Sequence, residues 1–328
     1  MKKIIDDKNR IVEDMLVGYA AAFPSRVKLV GENVLCRAKK KEFGKVGVII
    51  GNGSGHEPAM IDLVGHGLFD VNVCGRIFTA PSPLEMLAGI KLADNGAGVL
   101  ILVSSHQGDI LNAKMAVMLA KAEGINVQMV VLWDDISSAP KGQESERRGT
   151  AGLFFTFKIV GAAAEAGLGM EALIRLAEKV RDNTRTLSVA VSGGTHPVTG
   201  LKTFELPDDE IEVGMGVHGE AGSGRMKLLS SMKITEFMLA QILGDLPFKK
   251  GDEVMVLVNN SGATTRMELM IIFKNIAAIL QKEGIVLLRN WVGTYVTTQE
   301  SAGFAISVCK TDRNLTDLYD AEADSPLF

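Results

Sequence analysis

The chain has 328 residues, of which 47% are hydrophobic, 23% are charged and 5% are aromatic, and its formal net charge is −4. This length suits two domains that each bury a core. The negative charge and scarce aromatic side chains argue against a nucleic-acid-binding surface. No apolar run reaches the roughly 18 residues that span a bilayer, and no signal-peptide core is recognisable, so we expect a cytoplasmic protein. The three cysteines are far apart and are expected to be reduced core thiols.

The first half of the chain alternates apolar strand-like segments with helix-like segments. Strands are predicted at Val46–Ile50, Val71–Cys74, Gly98–Val103 and Val127–Trp133, with helices at Pro83–Asn95 and Leu111–Gly124. Such alternation is typical of a parallel or mixed sheet with helices on both faces. A single long helix from Ala151 to Arg181 is predicted to close this half.

A second unit of the same class is predicted to begin after residue 182. Its strands are predicted at Thr186–Ser192, Ile211–Val217, Glu253–Asn259, Gly284–Asn290 and Phe304–Lys310, with helices at Ser231–Leu243 and Met267–Lys282. The sequence therefore predicts an α/β protein of two domains, residues 1–182 and 183–328. Each domain would be a mixed or parallel sheet flanked by helices.

Two glycine-rich segments each contain one histidine. Gly51–His56 follows the first predicted strand, and Gly214–Glu220 places His218 among glycines. Glycine lets bare backbone approach a small ligand closely, so the two histidines suggest one shared site. The first segment matches neither the dinucleotide pattern Gly-x-Gly-x-x-Gly nor the nucleophile elbow Gly-x-Ser-x-Gly.

Asp109 follows a buried strand and precedes a helix. An aspartate there is either a helix N-cap or, at the carboxyl edge of the sheet, a general base for a substrate hydroxyl. Its loop should neighbour the Gly51–His56 loop, since ligands of open sheets bind beyond the carboxyl ends of the strands. His66 and His196 are interpreted as structural. Because no metal-ligand spacing is present, we predict no bound metal in this chain.

Three motifs resemble the dihydroxyacetone kinase family, and in particular its dihydroxyacetone-binding subunit: Gly53–Pro58, Gly108–Asn112 and Gly216–Glu220. The resemblance runs nearly end to end. It implies that His218 adds covalently to the ketone of dihydroxyacetone to form a hemiaminal, that Asp109 takes the proton from the substrate hydroxyl, and that His56 orients the substrate. The residues that it places around the substrate are Gly53, Ser54, Gly55, Phe78 and Gly108.

The phosphoryl donor is expected to come from outside this chain. The sequence contains neither the phosphate-binding pattern Gly-x-x-x-x-Gly-Lys-[Ser/Thr] nor an evident magnesium-binding aspartate cluster. The resemblance implies a helical partner subunit that carries ADP and Mg²⁺ and is rephosphorylated by a phosphotransferase-system protein. It also implies that this chain forms a homodimer.

The sequence departs from the family pattern close to the expected site. Asn52 and Met60 stand where the family usually has a glycine and a histidine. Arg76 replaces an acid, Ala80 replaces a serine, and Ser104 replaces a lysine. Three interpretations therefore stay open: a dihydroxyacetone kinase subunit, a kinase subunit for a related ketose such as erythrulose, and a non-catalytic co-activator that senses dihydroxyacetone.

Overall fold

The computed structural model describes residues 2–328, which divide into two compact units. The N-terminal unit comprises residues 2–132, 155–179 and 317–328, and the C-terminal unit comprises residues 133–154 and 180–316. Relative to the predicted boundary at residue 182, residues 133–154 and 180–182 lie in the C-terminal unit, and residues 317–328 lie in the N-terminal unit. Asp135 bridges to Thr186 in the later sheet, and Asp324 bridges back to His66. A single boundary placed in the sequence cannot show that such distant segments pair with one another.

The N-terminal unit is built on a six-stranded mixed sheet. Its strands are β1 (Val27–Val30), β2 (Val34–Arg37), β3 (Gly47–Ser54), β4 (Val71–Ile77), β5 (Val99–Ser104) and β6 (Val127–Leu132). Their order in the sheet is β1-β2-β4-β3-β5-β6, and the last four are parallel. The helices are α1 (Ile11–Ala22), α2 (Pro83–Ala93), α3 (Gln107–Ala122) and most of α4 (Leu153–Glu165) and α5 (Met170–Asp182). Helices α2 and α3 cover one face through a core that includes Ile49, Ile90, Ile101 and Ala116.

The C-terminal unit has a second six-stranded mixed sheet. Its strands are β7 (Thr184–Ser192), β8 (Glu210–Val213), β9 (Gly224–Lys227), β10 (Glu253–Asn260), β11 (Val286–Gly293) and β12 (Ala302–Lys310), in the order β11-β10-β12-β7-β8-β9. Only β10 and β11 run parallel. Helices α6 (Ser231–Asp245) and α7 (Arg266–Glu283) pack on the sheet through Leu239 and Ile276, and α8 (Arg313–Asp320) follows β12. Two mixed α/β sheets confirm the predicted fold class.

The predicted single helix from Ala151 to Arg181 is wrong. The chain forms α4 and α5, which are separated by residues 166–169. Gly167 adopts a left-handed φ of +90°, and the amide of Leu168 donates to the carbonyl of Ala163 at 3.0 Å. This is a glycine-dependent helix stop. Throughout residues 2–328, none of the helices is long and apolar enough to cross a membrane.

Strand β3 extends further than predicted and includes the first glycines of the expected loop. A Cβ at Gly51 would lie 1.9 Å from Sδ of Met86, and one at Gly53 would lie 2.6 Å from the backbone nitrogen of Thr79. Both glycines therefore permit close packing inside the unit. The turn itself begins only at Gly55, whose φ is +110°.

Asp245, the last residue of α6, holds two buried arginines in the C-terminal unit. Arg147, whose side chain is fully buried, donates hydrogen bonds of 2.8 and 2.6 Å to the two carboxylate oxygens. Arg185 of β7 donates from Nε to the same carboxylate. Burial alone raises the pKa of Asp245, but the hydrogen bonds and charges of both arginines bring that pKa below its ordinary value. The carboxylate thus fixes residue 147 beside the sheet.

We expect Asp245→Asn to lower the free energy of unfolding by about 3 kcal/mol, because it leaves two buried guanidinium groups without their counter-charge. Urea denaturation measures the change. The matched control on the same helix is Glu236→Gln, which breaks an exposed pair with Lys233 and should cost less than about 1 kcal/mol. Since the pKa of Asp245 is lowered on folding, its stabilisation is present above pH 3.8 and is lost as the pH falls further. Equal losses in the two variants would contradict this assignment.

Candidate functional site

His56 follows β3 at the carboxyl edge of the first sheet. Glu57 Oε1 accepts the amide hydrogen of Gly55 at 2.9 Å, which closes the turn around the histidine. The residue is 4% exposed, and its ring lies 5.2 Å from the ring of Phe78, centroid to centroid. The amide of Phe78 donates to the carbonyl of Ser54 at 2.8 Å. Backbone hydrogen bonds and ring packing together hold the imidazole at the edge of the sheet.

Ser54 and Glu57, which flank Gly55 and His56, also contribute to the structure of this turn. The hydroxyl of Ser54 donates to the carbonyl of Gly75 at 2.8 Å and so fastens β3 to β4. Burial raises the pKa of Glu57, although hydrogen bonds from the backbone of Gly55 and of Glu57 itself act in the opposite direction. The side chains of Ser54 and Glu57 therefore both make hydrogen bonds that hold this turn in place.

Asp109 is the third residue of α3, and its interpretation as the N-cap is wrong. The N-cap is His106, whose extended backbone has φ −129° and ψ 141°. The helix therefore starts at Gln107, before the predicted start at Leu111, so that Asp109 lies inside its first turn. An aspartate there interacts favourably with the positive end of the helix dipole. The Asp109 side chain is 9% exposed, and Oδ2 lies 3.8 Å from Nδ1 of His106.

The His56 turn and the start of α3 leave the same edge of the sheet. Strands β3 and β5 are adjacent and parallel, so their carboxyl ends point the same way. This confirms that the two loops are neighbours. Asn112 of α3 donates to the carbonyl of Pro81 at 2.8 Å, which ties the helix to the segment that follows Phe78. A Cβ at Gly108 would lie 3.6 Å from Cβ of Ala80, so this helix turn also approaches that segment.

His218 lies in a glycine-rich turn that follows β8 in the C-terminal unit. The predicted strand Ile211–Val217 ends at Val213 because Gly214 turns the chain with φ +76°. The amide of Gly216 donates to the carbonyl of Glu220, and the amide of Gly219 donates to the carbonyl of Gly216, both at 3.0 Å. Thr298 Oγ1 donates to the carbonyl of Val217 at 2.7 Å. The turn is thus fixed on both sides of the histidine.

Glu220 binds His218 twice. One carboxylate oxygen accepts the backbone amide hydrogen of His218 at 2.9 Å, and the other lies 2.7 Å from Nδ1 of its ring. Burial alone would raise the pKa of Glu220, but the side-chain hydrogen bond and charge of His218, together with backbone hydrogen bonds, lower it to about 2. An ionised carboxylate only accepts hydrogen bonds, so Nδ1 carries the proton. In the neutral ring the lone pair is then on Nε2.

The contact between Glu220 and His218 requires a glycine at position 216. A Cβ there would lie 2.1 Å from Oε2 of Glu220 and 2.6 Å from Nη1 of Arg148. Arg148 in turn donates to the carbonyl of Gly214 at 2.8 Å. Glu220 belongs to the sequence motif Gly216–Glu220, but the sequence alone assigned it no role. Its position only two residues after His218 was the one sequence feature that could have indicated a contact between the two side chains.

The structure distributes the predicted site residues between the two units. The C-terminal unit carries His218, and the N-terminal unit carries His56, Asp109, Gly53, Ser54, Gly55, Phe78 and Gly108. The structure places the His56 and Asp109 segments at one sheet edge, and the role of each residue towards a substrate stays a prediction. His66 lies 3.5 Å from Glu165, and His196 accepts the amide hydrogens of residues 198 and 199 at 3.3 Å. The structural roles of both histidines stay predictions.

Comparison with known proteins identifies the family. A model of the Dak1 domain matches residues 17–327. The chain is 41% identical over 313 residues to the PTS-dependent dihydroxyacetone kinase 1, dihydroxyacetone-binding subunit DhaK of Listeria innocua, which covers 95% of both chains. It is 37% identical over 328 residues to the D-erythrulose kinase of Mycolicibacterium smegmatis, covering 100% of this chain but only 56% of that relative.

A solved structure gives the same result at the level of the fold. The dihydroxyacetone kinase operon co-activator Dha-DhaQ superposes with a TM-score of 0.91 at 28% identity, covering 96% of this chain and 97% of that one. Relatives of this kind thus include proteins named as kinases and one named as a co-activator. Because the Dak1 match and the Listeria relative each extend over nearly the whole length, the chain belongs to the dihydroxyacetone kinase family.

Proposed function

We propose that this protein is the ketose-binding subunit of a dihydroxyacetone kinase and that it captures dihydroxyacetone covalently on His218. The observation that carries the proposal is the 2.7 Å contact between Nδ1 of His218 and Glu220. With the proton held at Nδ1, the lone pair of Nε2 can add to the ketone carbon. The carbonyl oxygen then becomes a hydroxyl as the ring loses the Nδ1 proton, so that a neutral hemiaminal forms.

Covalent capture explains how such a site would distinguish its substrate from glycerol. Glycerol has no carbonyl carbon for Nε2 to attack. A pocket that relied on shape alone discriminates weakly between molecules of such similar size. The site would therefore select its substrate by the carbonyl group. Covalent capture would also hold the terminal hydroxyl in position for phosphoryl transfer.

Asp109 is the proposed general base for that hydroxyl. Its carboxylate takes the proton while the hydroxyl oxygen bonds to phosphorus and the bond from phosphorus to the donor oxygen breaks. His56 is proposed to hydrogen-bond the substrate, with its ring held by Phe78 at a centroid distance of 5.2 Å. The remaining proposed substrate contacts are Gly53, Ser54, Gly55 and Gly108.

The phosphoryl donor is proposed to be ADP-bound phosphate on a helical partner subunit that also holds Mg²⁺ and is recharged by a phosphotransferase-system protein. The name of one relative supports a separate partner, because the Listeria protein is named the dihydroxyacetone-binding subunit of a PTS-dependent dihydroxyacetone kinase. In this proposal the protein works in the cytoplasm as a homodimer, and ADP and Mg²⁺ stay on the partner.

Two other functions have specific support. The D-erythrulose kinase relative favours a four-carbon ketose as substrate, and the similarity to the co-activator structure favours a non-catalytic sensor of dihydroxyacetone. A coupled assay with the partner subunit, run with dihydroxyacetone and with erythrulose, separates the three functions. Turnover on one ketose identifies the kinase and its substrate. Covalent capture without turnover by any donor would favour the sensor.

His218→Ala should abolish covalent capture because it removes the attacking nitrogen. Intact-protein mass spectrometry should show the wild-type chain gaining the full mass of the ketose without loss of water, as a hemiaminal requires. His196→Ala removes a histidine from outside the motif and should form the adduct normally. An adduct on the His218→Ala protein would refute the assignment.

Glu220→Gln should slow adduct formation by at least about 100-fold, since the neutral amide no longer holds the proton on Nδ1. Its single carbonyl oxygen can keep the backbone hydrogen bond from His218, and the NH₂ group then faces Nδ1, where it favours the tautomer with the proton on Nε2. Time-resolved mass spectrometry after mixing with dihydroxyacetone measures the rate. The control Glu205→Gln changes an exposed glutamate paired with Lys202 and should leave the rate unchanged. An unaltered rate in Glu220→Gln would show that the tautomer is set in another way.

Asp109→Asn should keep the adduct and lose phosphoryl transfer by roughly 100- to 10,000-fold, because an amide cannot accept the hydroxyl proton. Mass spectrometry measures capture, and the coupled assay measures transfer. Turnover near the wild-type rate would contradict the role of Asp109 as general base. Loss of both capture and transfer would indicate a structural defect.

A further inference from the structure

The segment between β5 and α3 places a serine and a histidine beside Asp109. Ser104 Oγ lies 3.1 Å from Nδ1 of His106, which is hydrogen-bond distance. The same Nδ1 lies 3.8 Å from Oδ2 of Asp109, and the two side chains are only 14% and 9% exposed. One ring nitrogen of His106 therefore faces both the serine hydroxyl and the proposed general base.

The two oxygens indicate where His106 carries its proton. As the proposed general base, Asp109 presents a carboxylate that can only accept hydrogen bonds, whereas the hydroxyl of Ser104 can either donate or accept. A proton on Nδ1 is attracted to both oxygens, while a lone pair on Nδ1 would be repelled by the carboxylate. At 3.8 Å the Asp109 contact is electrostatic, and catalytic hydrogen bonds of this kind often shorten only when substrate binds.

The backbone fixes this arrangement. The amide of His106 donates to the carbonyl of Ser104 at 2.7 Å, and its carbonyl accepts from the amide of Ile110 at 3.0 Å. The side chain of this N-cap residue makes no capping hydrogen bond to the first turn of the helix. The imidazole is instead turned towards Ser104 and Asp109. Ser104, His106 and Asp109 are thus held close together by the backbone of one short segment.

We propose that His106 is a positioning residue for Asp109, with its Nδ1–H held by Ser104 and directed at the carboxylate. The inference rests on the proposed function, in which Asp109 accepts the substrate proton. His106 neither gains nor loses a proton in that step. Its N–H dipole restricts the carboxylate to one orientation, and this should raise the rate of transfer without affecting capture on His218.

Substitutions at position 106 test the role of Nδ1 specifically. Asparagine places an amide N–H near the position of Nδ1, glutamine places one near Nε2, and leucine supplies none. We expect His106→Asn to keep kcat within about threefold, and His106→Gln and His106→Leu to lower kcat by roughly 10- to 100-fold, as supporting contacts in active sites do. KM for the ketose and the yield of adduct should be unchanged in all three. Equal kcat values for the Asn and Leu variants would overturn the proposal.

A second measurement does not depend on turnover. The ¹⁵N and ¹H shifts of the His106 ring report which nitrogen carries the proton. We expect an Nδ1–H tautomer in the wild-type protein, with a perturbed Nδ1 signal in both Ser104→Ala and Asp109→Asn. A proton on Nε2 alone would overturn the assignment. If the wild-type protein showed no phosphoryl transfer with either ketose, the kinase proposal would fail, and the tautomer would still decide the geometry inferred for His106.

Discussion

The proposed chemistry depends on a single hydrogen bond, between Nδ1 of His218 and Glu220. Because the pKa of Glu220 is lowered to about 2, its carboxylate is ionised at every pH at which the protein would work. An ionised partner keeps the ring proton on Nδ1, and this leaves Nε2 as the nucleophile in the neutral ring. The same carboxylate also accepts the backbone amide hydrogen of His218. One side chain thus sets both the position and the tautomer of the histidine.

That hydrogen bond in turn depends on positions without side chains. A Cβ at residue 216 would occupy the space of the Glu220 carboxylate, and one at Gly222 would lie 1.8 Å from the carbonyl oxygen of Val213. Glycines also allow close packing of the backbone around His56 in the N-terminal unit. A Cβ at Gly53 would collide with the backbone of Thr79, as would one at Gly75, 2.0 Å from the Thr79 carbonyl oxygen. A side chain at Gly53, Gly75 or Gly222 would therefore force a backbone segment to move, whereas one at Gly216 would displace the Glu220 carboxylate.

The sequence predicted the elements whose signals are local. Apolar runs predicted strands such as β5, and periodic segments predicted α2 and α7, because burial of these elements follows directly from their composition. The break between α4 and α5 was missed because the apolar pattern continues up to it, and a glycine at residue 167 reverses the backbone there. Units assembled from distant segments depend on pairs such as Asp135 with Thr186. No local pattern encodes such pairs.

In the candidate site, too, local sequence features were predictable and contacts between side chains were not. Motifs located His218, His56 and Asp109 by residue number, since glycine spacing and strand ends are visible in the sequence. The contacts that two of these residues make were not visible in the sequence. Glu220 reaches His218 only through the turn around Gly216, and His106 faces Asp109 only because α3 begins earlier than its apolar pattern predicts.

The surroundings of Asp109 bear on the choice between a kinase subunit and a co-activator. An aspartate in the first turn of a helix is stabilised by the helix dipole whatever the protein does, so its presence alone suits either function. The N-cap is different, because a serine, asparagine or aspartate there would stabilise the helix by about 1 kcal/mol through a capping hydrogen bond. His106 makes no such bond and is turned towards the carboxylate. If Asp109 removes a proton as proposed, the kinase gains an oriented base from this arrangement, whereas capture of a ketose alone does not use it.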